Sequence, residues 1–143
     1  MPLIVLLVTF GTATFQTVQA QPTKYDGVWI TQFKGVTWAR LELRTVNGQM
    51  TGGISLGNIE MNKDGTLRHA GPAPQRLSPI FDVRQQGAVV SFARKDSEDT
   101  DRFEIELKGA ECELRFVLTE EFRKELADEG LPAPKPVRLA RSK

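Results

Sequence analysis

Polar and apolar residues alternate along most of this chain, most regularly over residues 102–118, RFEIELKGAECELRFVL. Phe103, Ile105 and Leu107 share one face, with Arg102, Glu104, Glu106 and Lys108 on the other. Past Gly109-Ala110-Glu111, the residues Cys112, Leu114, Phe116 and Leu118 again fall together, opposite Glu113 and Arg115. Successive side chains of an extended strand point to opposite sides. A period of two therefore predicts half-buried antiparallel strands, and the Gly-containing break joins them as a hairpin.

The same pattern runs upstream. Residues 25–33, YDGVWITQF, are β-branched and aromatic and predict a first strand. Lys34-Gly35 turns the chain into a second strand over 36–46, where Ala39, Leu41 and Leu43 alternate with Arg40, Glu42 and Arg44. Asn47-Gly48 follows, a pair suited to a type I′ turn because both central positions need positive φ. A third strand over 49–56 sets Met50, Gly52, Ile54 and Leu56 on one side, and Gly52-Gly53 predicts a bulge or sharp coiling there. Short strands at 57–61 and 66–69 flank Lys63-Asp64-Gly65, and residues 70–79, with three prolines, read as a surface loop. Strands at 80–85 and 88–94 flank Gln86-Gly87, and a polar connection, 95–101, leads into the hairpin above. About eight short strands at about 8–12-residue spacing make an all-β meander, the pattern of a barrel or sandwich.

After Leu118 the period changes. Thr119 can cap a helix, Glu120 and Glu121 suit its first turn, Phe122 and Leu126 form an apolar i, i+4 pair, and Gly130 can end it. The prolines of 131–136, LPAPKP, force an extended connection into a short final strand over 137–141. An open meander would leave two edges that invite aggregation. The final strand is expected to cover one of them by pairing beside residues 28–31, while Phe122 and Leu126 pack the helix on the wall.

The first twenty residues carry no charged side chain, hold an apolar run from Leu3 to Phe10, and end Val18-Gln19-Ala20. This predicts a signal peptide, residues 1–20, cleaved after Ala20, a secreted or periplasmic protein, and one domain over 21–143. The apolar run is much shorter than the ~20 residues a spanning helix needs, so no membrane association is expected once the leader is removed. A net charge of +1, with lysines and arginines interleaved among acids, argues against nucleic acid as a partner. The one cysteine, Cys112, excludes an internal disulfide, and its phase with Leu114 and Phe116 makes it a small buried hydrophobe.

Catalytic chemistry has little to work with. His69 is the single histidine, and no nucleophile elbow, Cys-x-x-Cys pair or Gly-x-Gly-x-x-Gly loop occurs, so neither an enzyme nor a cofactor is expected. Asp96, Glu98, Asp99 and Asp101 are the one candidate metal loop. They lack the EF-hand spacing, since Leu107 stands where the closing Glu belongs, which leaves a solvated hairpin loop as the alternative. Aromatic residues on the strands either line a cavity or fill a core, because an eight-stranded barrel is just wide enough for either.

Gly27-Val28-Trp29, near the start of the first strand, resembles the Gly-x-Trp motif with which lipocalins and the wider calycin group begin. In that group the Trp plugs one end of the barrel. The order of a strand meander, a helix at 119–129 and a final strand is similar too. Residues 47–53, NGQMTGG, resemble the second hairpin of avidin-type barrels, and Phe92 and Phe116 stand where those proteins tend to carry Trp. The lipocalin Arg that covers the Trp has no match at Val117-Leu118-Thr119, and Arg138 or Arg141 can take its place. The biotin ligands of avidins are not recognisable.

The resemblance implies an up-and-down antiparallel eight-stranded barrel with one C-terminal helix and a short final strand. Its expected function is binding an apolar small molecule in the barrel mouth. The interior residues expected to line that site are Trp29, Phe33, Leu41, Leu43, Ile54, Phe92, Phe103, Ile105, Leu114 and Phe116. The alternative is a protein-binding barrel, as in small periplasmic protease inhibitors, with a packed interior and an exposed apolar patch near 70–79.

Overall fold

The computed structural model describes residues 24–143, so the expected leader and its cleavage point lie outside the described residues. Ten strands form: β1 Gly27–Phe33, β2 Val36–Val46, β3 Gln49–Leu56, β4 Ile59–Met61, β5 Leu67–Ala70, β6 Ser78–Gln86, β7 Val89–Asp96, β8 Asp99–Lys108, β9 Glu111–Val117 and β10 Val137–Arg141. One helix, α1 Glu120–Asp128, precedes β10. Eight of the strands close into an antiparallel barrel in the order β1-β10-β9-β8-β7-β6-β3-β2.

The barrel is the expected one, but its eighth member is not the expected strand. β4 and β5 leave the wall as a separate two-stranded hairpin, β3 pairs directly with β6, and β10 enters between β1 and β9 as the eighth strand. At three and four residues, β4 and β5 are too short to span a tilted barrel wall. Their turn at Gly65 lies against Pro132, Ala133 and Lys135 of the proline-rich connection. β10 pairs with β1 at Trp29↔Arg141 and Ile30↔Ala140, and with β9 from Val137↔Leu114 to Ala140↔Glu111. The final strand thus closes the barrel beside the first, as the edge argument requires.

Rows of inward side chains cross the wall in register. Phe92, Phe103 and Phe116 face one another across β7, β8 and β9, with ring centroids 5.5 and 5.8 Å apart. Val90, Ile105, Leu114 and Val137 form the next row, then Leu107, Cys112 and Leu139. Trp29, Leu41 and Ile54 make the corresponding row on β1, β2 and β3. The outer face of β8 and β9 carries charge, where Arg115 lies 2.9 Å from Glu113, 3.0 Å from Glu106 and 3.4 Å from Glu104.

Four local expectations are corrected. Residues 95–101 are not a connection, because the β7–β8 ladder runs on to Asp96↔Asp99 and turns only at Ser97-Glu98. Ser78 and Pro79 belong to β6; Pro79 lies just before β6–β7 pairing begins at Ile80↔Arg94. Of the two expectations for Gly52-Gly53, a bulge or sharp coiling, the bulge does not form, since the β2–β3 register is unbroken; at φ +148 the Gly52 backbone passes so close to Glu42 that a Cβ would collide with that carbonyl oxygen. Phe122 is 45% exposed, and of the helix only Leu126 is buried. The helix is held by its ends instead. The Thr119 hydroxyl accepts from the Phe122 N–H, and Leu131 and Gly130 N–H groups donate back to Leu126 and Ala127 in a Schellman cap.

Candidate functional site

All ten interior residues singled out from the sequence belong to the hydrophobic core. Leu41, Ile54, Phe92, Ile105 and Leu114 are wholly inaccessible, so no water-sized space touches them. Phe33 and Phe116 are only partly buried, at the end of the barrel where β1 ends and β9 ends. The middle of the barrel is therefore filled by its own side chains, the packed solution open to eight strands.

One end is closed by the chain's own N-terminal segment. The indole N–H of Trp29 donates to the Tyr25 carbonyl at 2.8 Å, and the Tyr25 hydroxyl reaches across to the Ala88 carbonyl at 2.6 Å. Burial raises the Tyr25 pKa above the ordinary phenol value. The Arg141 guanidinium lies 4.3 Å from the Trp29 ring centroid and donates to the carbonyls of Asp26 and Lys24. Gly27 makes this possible, since a Cβ there would stand 2.7 Å from Arg141 Nη1. Asp26 in turn accepts from the Thr45 N–H at 3.1 Å and its hydroxyl at 2.7 Å, fixing the segment to β2.

A cleft opens in the wall between β3 and β6. These strands pair only at Gly53↔Pro79 and Ile54↔Ser78, whereas their other neighbours are paired along most of each strand. The divergence has a visible cause in β6. Between Phe81↔Ala93 and Arg84↔Ser91, two residues, Asp82 and Val83, oppose one, Phe92, and Asp82 has φ +51. Such a bulge bends its strand and increases its twist, and the β3–β6 pairing stops short of it. The Asp82 carboxylate is held outside by Arg102 at 3.0 Å and Arg84 at 3.2 Å, and Arg102 above all keeps its pKa below the usual carboxylate range.

The resulting cavity has a volume of about 440 Å³. Met50, Ile80, Val83 and Val90 form its apolar side, continuous with the core, while Thr45, Gln49 and Gln85 supply uncharged polar groups. None of the ten sequence-predicted site residues lines it. Alternation along 49–56 and 80–85 placed Met50 and Ile80 on strands, but the cleft depends on a bulge and on two strands distant in sequence failing to pair.

The other sequence candidates are not gathered into a site. Asp101 is taken by Arg94 at 3.2 Å, with Asp96 3.8 Å from the same guanidinium, and Glu98 stands in the turn. Among the described residues no group of three or more His, Cys, Asp or Glu is placed to hold a metal ion. His69 is exposed on β5, opposite Glu60. Burial pushes the Cys112 thiol up to about 12, far from a reactive thiolate at neutral pH. Residues 70–79 show no large exposed hydrophobe; the loop is tied to the wall by Ala73 N–H to the Thr37 carbonyl at 2.9 Å and Ser55 Oγ to the Pro74 carbonyl at 2.5 Å. Large apolar side chains are exposed elsewhere, at Val46, Phe81, Val117 and Phe122. Sequence reasoning also passed over Trp38, which is 2% exposed at a register shift where β2 carries one residue more than β1.

Comparison with protein-family models, curated proteins and solved structures finds no match to this chain. The likeness to lipocalins therefore extends to the general architecture, a closed eight-stranded antiparallel barrel with one helix before its last strand.

Proposed function

We propose that the protein is a binding module that takes its ligand in the lateral cleft between β3 and β6, above a packed barrel interior. The observation that carries this reading is the contrast between a core with no water-sized space at its centre and a cavity of about 440 Å³ at the β3–β6 gap. That volume falls within the range of ~300–1,000 Å³ typical of small-ligand sites. The lining modifies the expectation of a purely apolar ligand. Met50, Ile80, Val83 and Val90 suit an apolar side, and Gln49 and Gln85 offer hydrogen bonds along the rim, so the ligand has one apolar and one polar side.

A fragment library screened by protein-observed NMR tests the site whatever the identity of the ligand. Hits should move the amides of residues 45–50 and 80–85 together. Hits that map to other surfaces, or an absence of hits at the cleft, refute the reading.

Export is part of the same proposal, supported by the uncharged apolar leader ending at Ala20. Mature protein recovered from its host should begin at Gln21. Intact Met1 on soluble cytoplasmic protein would sink it.

A further inference from the structure

We infer that the ligand of the β3–β6 cleft is an uncharged molecule, an alcohol or an amide, with an apolar body and a hydrogen-bond donor that meets the Gln85 side-chain oxygen. The inference rests on the cleft reading above and deepens it by naming the chemical class of the ligand.

Strand register decides which side chains turn toward the cavity. Leu41↔Ile54 is a buried inward pair, so Leu43↔Gly52 and Thr45↔Met50, further along the same ladder by steps of two, face the same way. Across the gap, Phe92 is wholly buried, Val90 shares its face of β7, and Val90 pairs with Gln85. Met50 on one side of the gap, with Gln85 and Val90 on the other, thus face inward together. Thr45, beside Met50, has a hydroxyl that already donates to Asp26 at 2.7 Å. Gln85 therefore supplies the polar group that these inward positions leave open to a ligand.

The Gln85 carboxamide has a set orientation. Its Nε2 donates to the Gly87 carbonyl at 3.3 Å, and the reversed amide would set oxygen against oxygen. Oε1 is left as an acceptor with no protein partner among the described residues. A ligand that binds there must bring an O–H or N–H donor. Gln49 adds a second carboxamide at the rim, on the β3 side.

Charge is excluded by what surrounds the cavity. Asp82 is the one ionisable side chain in the lining. Its Oδ1 faces Arg84 at 3.2 Å and its Oδ2 faces Arg102 at 3.0 Å, so both oxygens are engaged. Neither arginine lines the cavity. An anion or a cation would leave water for Met50, Ile80, Val83 and Val90 with no opposite charge to meet it, which is costly. A neutral donor exchanges its bond to water for one to Oε1 and loses little. Burial of the apolar body then supplies the net gain. Size sets a limit as well: about 440 Å³, at ~30 Å³ for each water-sized volume, holds about fifteen non-hydrogen atoms.

The test uses a matched set of probes. Cyclohexylmethanol, its methyl ether, cyclohexanecarboxylate and cyclohexylmethylammonium share one apolar ring and differ in charge and in donor. Each is titrated into the intact protein at neutral pH and followed by NMR at the amides of residues 45–50 and 80–85. The alcohol should move both groups of amides together. The carboxylate and the ammonium should bind at least about tenfold more weakly than the alcohol, and the ether about fivefold more weakly. Gln85→Leu, confirmed as folded by circular dichroism, should lower the alcohol to the affinity of the ether and leave the ether within about twofold. The comparison of probes is read on the unaltered protein, so it stands even if that variant fails to fold. A charged probe that binds within about twofold of the alcohol overturns the inference, as does an ether that matches it or an alcohol indifferent to Gln85→Leu. If none of the probes moves these amides the inference also falls. Fragments of other kinds that still map to the cleft would then leave the cleft reading intact, and if no fragment maps there both fail.

Discussion

Arg141 is the residue through which the end of the chain secures its beginning, and its replacement by alanine is a stringent test of how the barrel is closed. Three interactions are lost together. The cation over Trp29, 4.3 Å from the ring centroid, contributes ~0.5–1 kcal/mol at a site open to water. Hydrogen bonds to the carbonyls of Asp26 and Lys24 contribute ~0.5–1.5 kcal/mol each. Arg141→Ala should therefore cost about 1.5–4 kcal/mol, a fall of about 5–15 °C in Tm for a domain of this size. Arg141→Lys keeps a cation near the ring but not the planar fork, and should recover only the smaller share. Gly27→Ala adds a second arm. Its Cβ would push Arg141 Nη1 off the indole, and its φ of +136 adds backbone strain of ~1–3 kcal/mol. The two substitutions should be non-additive, because Gly27→Ala has no guanidinium to displace once Arg141 is gone. Urea unfolding followed by Trp fluorescence measures the wild type, the three single variants and the double variant. A cost below about 0.5 kcal/mol for Arg141→Ala, or strict additivity with Gly27→Ala, refutes the reasoning.

Phe103→Ala should cost ~3–5 kcal/mol, because its ring is buried between Phe92 and Phe116. Phe116→Ala should cost less, since that ring is partly exposed, and Glu104→Ala on the outer face should change stability by under about 0.5 kcal/mol. Equal effects at all three positions in chemical denaturation would mean that the inner and outer faces are misassigned. Truncation after Gly130 removes β10 and should lower amide-exchange protection at Trp29 and Ile30, which β10 pairs; unchanged protection there contradicts the closure. Glu106 binds its proton more weakly in the folded protein than in the unfolded chain, chiefly through its hydrogen bond to Arg115 and then to Lys108. Its stabilising contribution is full above the unfolded carboxylate pKa of about 4 and is lost as pH falls through the lower folded value. Arg115→Gln should flatten the acid limb of the stability curve. An acid limb identical to wild type would show that the pair is not felt.

Local alternation determined which side chains face inward. Leu41, Ile54, Phe92, Phe103, Ile105 and Leu114 were legible because period-two patterning and burial are consequences of the same pleat, whatever the neighbouring strand turns out to be. The turns at Asn47-Gly48 and the cap at Thr119 were legible for the same reason, being decided by residues within a few positions of one another. Neighbour choice was not local. Nothing in residues 57–70 states that β4 and β5 leave the wall, or that β3 should pair with β6 instead; that follows from closing a barrel whose last place is filled by β10. Trp38 and Phe122 show the limit in single residues. Trp38 is buried at a register shift between β1 and β2, and Phe122 is left exposed because only Leu126 of its helix is buried. The cleft is the clearest case. It exists because Asp82 and Val83 bulge, β6 bends, and two strands twenty-odd residues apart stop pairing after two rungs. Alternation specifies the faces of a strand, while its edges are specified only by what lies beside them, and in this protein the candidate site is made of edges.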